Sequence, residues 1–230
     1  MCGLPRAGNT LFSSIMNQNP NVSVTANSLN CELFTYPQFL KENFVYKNYE
    51  DSESLDNITK GILPNYYGHW KADHIIDRAP WGMSPHFDIL KEFAPNDVKV
   101  IVPVRDLKEI IASYIKFSYS TDTNYIAMNA NTLDERCDLV MEVGHNFQIW
   151  LECVKNLCKD ENRKFCYFME YDNLVNNPKN EIDKIYQFLD IEQFEHRFTN
   201  LSQLENNGIQ YNDSIFGGDL HKVKENKVEK

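Results

Sequence analysis

Residues 99–114 read KVIVPVRDLKEIIASY, and the reading of this stretch decides the fold. The run KVIVPV at 99–104 is short and continuously apolar after its first residue, the pattern of a strand buried on both faces. From Asp106 the apolar residues change to helical spacing, so a helix over 106–119 follows directly. The chain therefore passes from buried strand to helix across Arg105, and ligands of open α/β sheets collect at such carboxyl ends.

The same alternation continues in both directions. Upstream, a strand over 1–4 leads through Pro5 to Ala7 into a helix over 8–18, with Pro20 close behind. Residues 32–67 are aromatic and read as helical or irregular, a short strand follows at 74–77, and helical spacing returns over 84–93. Downstream, Leu139, Val143, Phe147, Trp150, Val154 and Leu157 recur at three- and four-residue steps, which predicts one long helix over 134–158 with an apolar core face. A strand over 165–169 then precedes a helix over Pro178–Leu189, with Pro178 suited to the first turn. Strands alternating with helices imply an α/β fold: a three-layer, P-loop-like domain with a central parallel sheet flanked by helices.

With 230 residues and 42% apolar composition, the expectation is one domain over 1–230, of which 208–230 is a polar tail. A net charge of −10 excludes a general nucleic-acid or anionic-membrane binder, so any anion site must be local. No apolar run has the length of a membrane span, and residues 1–10 lack the layout of a secretory signal; the reading is a cytoplasmic protein. The six cysteines show no metal-ligand spacing and read as reduced, mostly buried thiols.

Gly3-Leu4-Pro5-Arg6-Ala7-Gly8-Asn9-Thr10 joins the first strand to the first helix, where backbone N–H groups and the helix terminus can converge on an anion. The loop has the G-x-x-x-x-G frame of a P-loop, but Asn9 stands where its lysine belongs. The cation appears instead at Arg6, where a guanidinium can grip an anion bidentately. A second anion site is suggested by Arg105 just past the strand and by Ser113 about two helical turns on.

Taken together, GLPRAGNTL and VPVRDLKEIIASY resemble the two nucleotide-binding signatures of sulfotransferases that use 3′-phosphoadenosine 5′-phosphosulfate (PAPS). The resemblance implies that the first loop, Pro5, Arg6, Ala7, Gly8, Asn9, Thr10 and Leu11, binds the 5′-phosphosulfate, and that Arg105 and Ser113 bind the 3′-phosphate. The run from Gly3 to Pro20 is most similar to the tyrosylprotein and related bacterial or viral branch. A third segment, YDNLVNNP at 171–178, is similar to the family's Y-E-D-L-x-x-x-P and implies a place for Tyr171 near the adenine. The basic residues Lys222 and Lys224 correspond to a C-terminal loop that some relatives fold over the 3′-phosphate.

The implied reaction moves the sulfuryl group from PAPS to a hydroxyl acceptor, be it small molecule, glycan, lipid or peptide, leaving adenosine 3′,5′-bisphosphate (PAP) and needing no metal. Arg6 is the first catalytic cation. IIDRAPW at 75–81 resembles the segment where relatives place a cation beside the sulfuryl group, which makes Arg78 the transition-state stabiliser or, with Asp77, half of an ion pair. The family's known bases do not transfer, because Ala26 and Ala79 occupy the two positions. Glu32, Asp77, His74 and His86 stay open as the base. Two rival readings also stay open: a P-loop kinase or NTPase, and a PAP-binding module without activity.

Overall fold

The computed structural model describes residues 1–201 apart from 26, 95, 121, 143 and 144, together with 209 and 212. Along the chain run α1 (Asn9–Met16), β1 (Val22–Val24), α2 (Asn30–Phe39), a 3-10 turn (Leu40–Glu42), α3 (Phe44–Asn48), α4 (Ser52–Tyr67), β2 (His74–Ile76) and α5 (His86–Phe93). Then follow β3 (Val100–Val104), α6 (Leu107–Ser118), α7 (Tyr125–Asn129), α8 (Leu133–Met141), α9 (Asn146–Leu157), α10 (Asp160–Arg163), β4 (Cys166–Glu170), α11 (Tyr171–Asn176) and α12 (Pro178–Leu189).

All pairing among the described strands is parallel. β1 pairs with β2, Val22 opposite His74, and β3 pairs with β4, Val100 opposite Cys166. Residues 1–4 join the two pairs: the nitrogen of Met1 donates to the carbonyl of Asp77 at 2.5 Å, just past β2, and Cys2 N donates to Ile101 O in β3 at 2.9 Å. This segment is extended chain rather than the predicted strand, and Pro103 supplies the reason. Val100 N points toward β4, donating to Phe165 O, so alternation turns the nitrogen of residue 103 toward the first segment. Proline has no N–H there, and the returning rung of the ladder is missing. The approach is nonetheless close, since a Cβ added to Gly3 would stand 2.5 Å from Pro103 Cδ and 2.9 Å from its carbonyl oxygen.

Side-chain alternation along β3 separates the layers. Val100 and Val102 enter one apolar cluster, with Leu4, Phe34, Phe87, Ile110, Phe147 and Trp150, whereas Ile101 enters another with Phe12, Ile15, Met169, Ile182 and Ile185. Helices thus cover both faces of the parallel strands, which is the three-layer α/β fold expected from the buried KVIVPV run.

The structure corrects the expectation of one long helix over 134–158. Glu142 is extended (ψ 141°) and ends α8, and His145 starts α9 by accepting a hydrogen bond from Phe147 N at its own Nδ1, 3.2 Å. Gly144, poorly suited to a helix interior, was the sequence sign of this break. The core reading of the stripe holds for Phe147, Trp150 and Leu157, all buried, while Val143 lies outside the described residues. β1 and α11 had no counterpart in the sequence reading, being only three and six residues long.

Candidate functional site

The carboxyl ends of the parallel strands carry the side chains singled out in the sequence. Pro5 to Gly8 follow the extended first segment, Asp77 and Arg78 follow β2, Arg105 follows β3, and Tyr171 follows β4 after Glu170.

The first loop closes tightly. Arg6 takes a positive φ of 67°, a conformation that costs a residue with a Cβ about 1–3 kcal/mol and must be held by its surroundings. Gly8 caps α1 with φ 90°, and a Cβ there would meet the ring of Tyr171 at 2.7 Å. Asn9, buried at the head of α1, donates from Nδ2 to Leu4 O at 2.7 Å and so latches the loop to the strand end. Ala7 is fully buried and its N–H turns back to Leu4 O, 3.3 Å. The first bond inside α1 runs from Phe12 N to Gly8 O, 2.9 Å, which leaves the N–H groups of Asn9, Thr10 and Leu11 ahead of it at the helix mouth. The Leu11 side chain packs on the second apolar cluster, so only its backbone can meet a ligand.

The two loops meet through their arginines. Arg6 Nε donates to Ser113 Oγ at 2.9 Å, and Arg105 Nη1 donates to the carbonyl of Arg6 at 3.2 Å. Arg105 also lies over the Tyr171 ring, 4.2 Å from its centre, and pairs with Glu109 through Nε and Oε2 at 2.9 Å. Burial pulls the pKa of the Arg6 guanidinium below its ordinary value, and the charge of Arg105 adds to this while Tyr114 and Tyr171 oppose it. Cations gathered against their own repulsion, on a chain of net charge −10, form a local positive pocket. Asp106 has a structural part: its carboxylate caps α6 by accepting from Lys108 N and Glu109 N at 2.8 and 3.3 Å.

Beside this pocket Asp77 is a hub. Its Oδ2 accepts from Ser28 Oγ at 2.7 Å, from Asn30 Nδ2 at 2.8 Å and from the Tyr67 hydroxyl, and its Oδ1 accepts from Trp81 Nε1 at 2.7 Å. Three of the four donors thus share Oδ2, and Oδ1 carries one. Arg78 is 6% exposed, fixed by Thr25 Oγ1 on its N–H (2.7 Å) and by Ser28 N on its carbonyl (3.0 Å), with its guanidinium 5.6 Å from the Trp150 ring.

The sulfotransferase domain model matches residues 1–214 of the chain. The chain belongs to the sulfotransferase domain family. It is 29% identical over 98 residues to sulfotransferase 1 family member D1 of Mus musculus, covering 43% of this chain and 32% of that protein. To sulfotransferase 1B1 of Canis lupus familiaris it is 27% identical over 100 residues, 44% and 33% of the two chains. The match thus spans about a third of the length of these curated relatives. Among solved structures, the sulfotransferase domain of the Synechococcus PCC 7002 olefin synthase superposes with a TM-score of 0.53 at 17% identity, covering 84% of this chain and 72% of that one; this likeness speaks to the fold.

Within this sulfotransferase domain, the structure brings Arg6, Gly8, Asn9, Arg105, Ser113 and Tyr171 into one connected group. The base candidates scatter. His74 opens β2 and so lies at the strand end opposite Asp77 and Arg78. His86, the first residue of α5, meets the Cys31 thiol through Nδ1 at 3.4 Å, and burial lowers its pKa below 6.5 while Glu32 opposes the shift. Glu32 is exposed on the first turn of α2. Lys222 and Lys224 lie outside the described residues, as does Ala26.

Sequence reasoning missed the partners of Asp77, namely Ser28, Asn30, Tyr67 and Trp81, which come from three separate stretches of chain. It also missed Tyr114 and Glu109, although both flank marked positions. Buried polar atoms without a partner among the described residues include Asn9 Oδ1, Asn30 Oδ1 and the Tyr114 hydroxyl, all near these strand ends. Such atoms are few in folded proteins.

Proposed function

We propose that the chain is a PAPS-dependent sulfotransferase that works through a single domain over 1–230 and transfers to a hydroxyl acceptor. The observation that carries this reading is the 2.9 Å bond from Arg6 Nε to Ser113 Oγ, which joins the loop assigned to the 5′ end with the helix assigned to the 3′-phosphate. The serine accepts this bond and keeps its O–H to donate to a phosphate oxygen. Arg105, stacked on Tyr171, holds the 3′-phosphate, and Tyr171 presents its ring beside the adenine. The N–H groups of Asn9, Thr10 and Leu11 receive the 5′-phosphate at the mouth of α1.

The donor supplies an activated sulfuryl group, moved in line to the acceptor oxygen. Arg6 and Arg78 stabilise the charge that spreads over that group. Asp77, held by four donors, positions the strand end that carries Arg78. Glu32, exposed near the start of α2, is assigned the base role. The six free cysteines support a reducing, cytoplasmic setting. The form of the first loop, with arginine as its cation, supports the tyrosylprotein and bacterial or viral branch.

Titration calorimetry tests the nucleotide: micromolar binding of PAP with little affinity for Mg-ATP is expected, and preference for Mg-ATP overturns the reading in favour of a P-loop kinase or NTPase. Labelled PAPS incubated with phenols, sugars, lipids and peptides tests turnover. The four donors that engage the Asp77 carboxylate favour a second reading, a module that binds PAP and transfers nothing, and that module would bind PAP yet label no acceptor.

A further inference from the structure

Tyr114 follows Ser113 on α6 and is 8% exposed, and its hydroxyl is closed to solvent with no hydrogen-bond partner among the described residues. The ring is held edge-on by His145 and by Phe147, each centroid 6.0 Å away, so the hydroxyl cannot turn elsewhere for a partner. A buried hydroxyl left without a bond is costly, and folded chains rarely keep one without a use.

The surroundings specify that use. Burial pushes the Tyr114 phenol's pKa up, opposed by the charges of Arg6 and then Arg78, so both guanidinium groups stand near a hydroxyl that keeps its proton. A protonated phenol beside two cations lacks an acceptor, and the acceptor chemistry that suits all three groups is an anionic oxygen.

We propose that Tyr114 is a ligand-binding residue whose hydroxyl donates to a sulfuryl oxygen of the donor held between Arg6 and Arg78. This rests on the function proposed above and adds a contact at a residue to which the resemblance assigns no role. Because the hydroxyl is sealed in the ligand-free protein, binding also moves a side chain.

Tyr114→Phe removes the hydroxyl and keeps the ring. Calorimetric titration without acceptor should show PAPS binding weakened about 10- to 150-fold, the scale of one hydrogen bond to a charged group, and PAP binding changed about twofold or less. The thermal midpoint of the ligand-free variant should stay level or rise, since no bond is lost there. Equal affinity of variant and wild type for PAPS overturns the proposal. So does an equal loss for both nucleotides accompanied by a lowered ligand-free midpoint, which marks a packing role. If the wild type binds neither nucleotide, the proposed function itself has failed, and that outcome differs from a defect confined to the variant.

Discussion

Arg105 is shared among three partners, with Glu109 on its Nε at 2.9 Å, the Arg6 carbonyl on its Nη1 at 3.2 Å and the ring of Tyr171 4.2 Å beneath its guanidinium carbon. The carboxylate holds the arginine where a phosphate would, and a ligand at this place must either displace it or bear its charge. Glu109 is about half exposed, so the pair is screened and weak. Glu109→Gln should therefore tighten PAP binding about two- to fivefold at low salt, with the gain shrinking as salt is added. Affinities measured across a salt series check this.

Arg105→Ala removes the charge itself. PAP binding should weaken by about 1.5–3 kcal/mol, the range of hydrogen bonds to charged groups. Calorimetry measures it, and an unchanged affinity removes Arg105 from the site.

Gly8→Ala meets two penalties at once, a φ of 90° and the Tyr171 ring 2.7 Å from the new Cβ. The fold should lose roughly 1–3 kcal/mol, and the displaced Tyr171 should carry Arg105 with it and weaken PAP binding. Chemical denaturation and nucleotide titration on one preparation report both.

Asp77→Asn replaces an all-acceptor group with one that presents an NH2 to donors. At least one of Ser28, Asn30, Tyr67 and Trp81 then faces another donor, at a cost of about 1–3 kcal/mol for each buried group left unpaired. A lowered denaturant midpoint with an unchanged slope is the expected result.

His196 is 8% exposed, shares a 2.9 Å hydrogen bond with the Tyr186 hydroxyl, and is held by burial below its ordinary pKa of 6.5. The unfolded chain therefore binds the proton more readily than the folded one. Its stabilising contribution is complete above 6.5 and is lost as pH falls through that value toward the folded pKa. Thermal midpoints should fall between pH 7.5 and 5.5, and His196→Gln should flatten that slope; an identical slope in the variant removes His196 as its cause.

Much of this molecule is legible locally. The apolar run at 99–104, the turn of period at Asp106, Pro178 at a first helical turn and the two strand-to-helix loops that carry Arg6 and Arg105 each declare themselves within a few residues, because backbone sterics and apolar periodicity act over that distance. That is why the three-layer fold and the positions of Arg6, Gly8, Arg105 and Ser113 could be named from the chain alone. Three-residue β1 carried too little pattern to be read, and the apolar spacing over 134–158 runs across the break before His145.

Tertiary structure decided what those residues touch. Whether 1–4 would be a strand depended on which way the nitrogen of Pro103 faced, a matter of sheet register. Whether Asp77 was open or filled depended on side chains up to 49 positions away, and whether Tyr114 found a partner depended on two arginines from other strand ends. Hydrogen bonding and burial are set by distance in space, and only the folded chain fixes that distance.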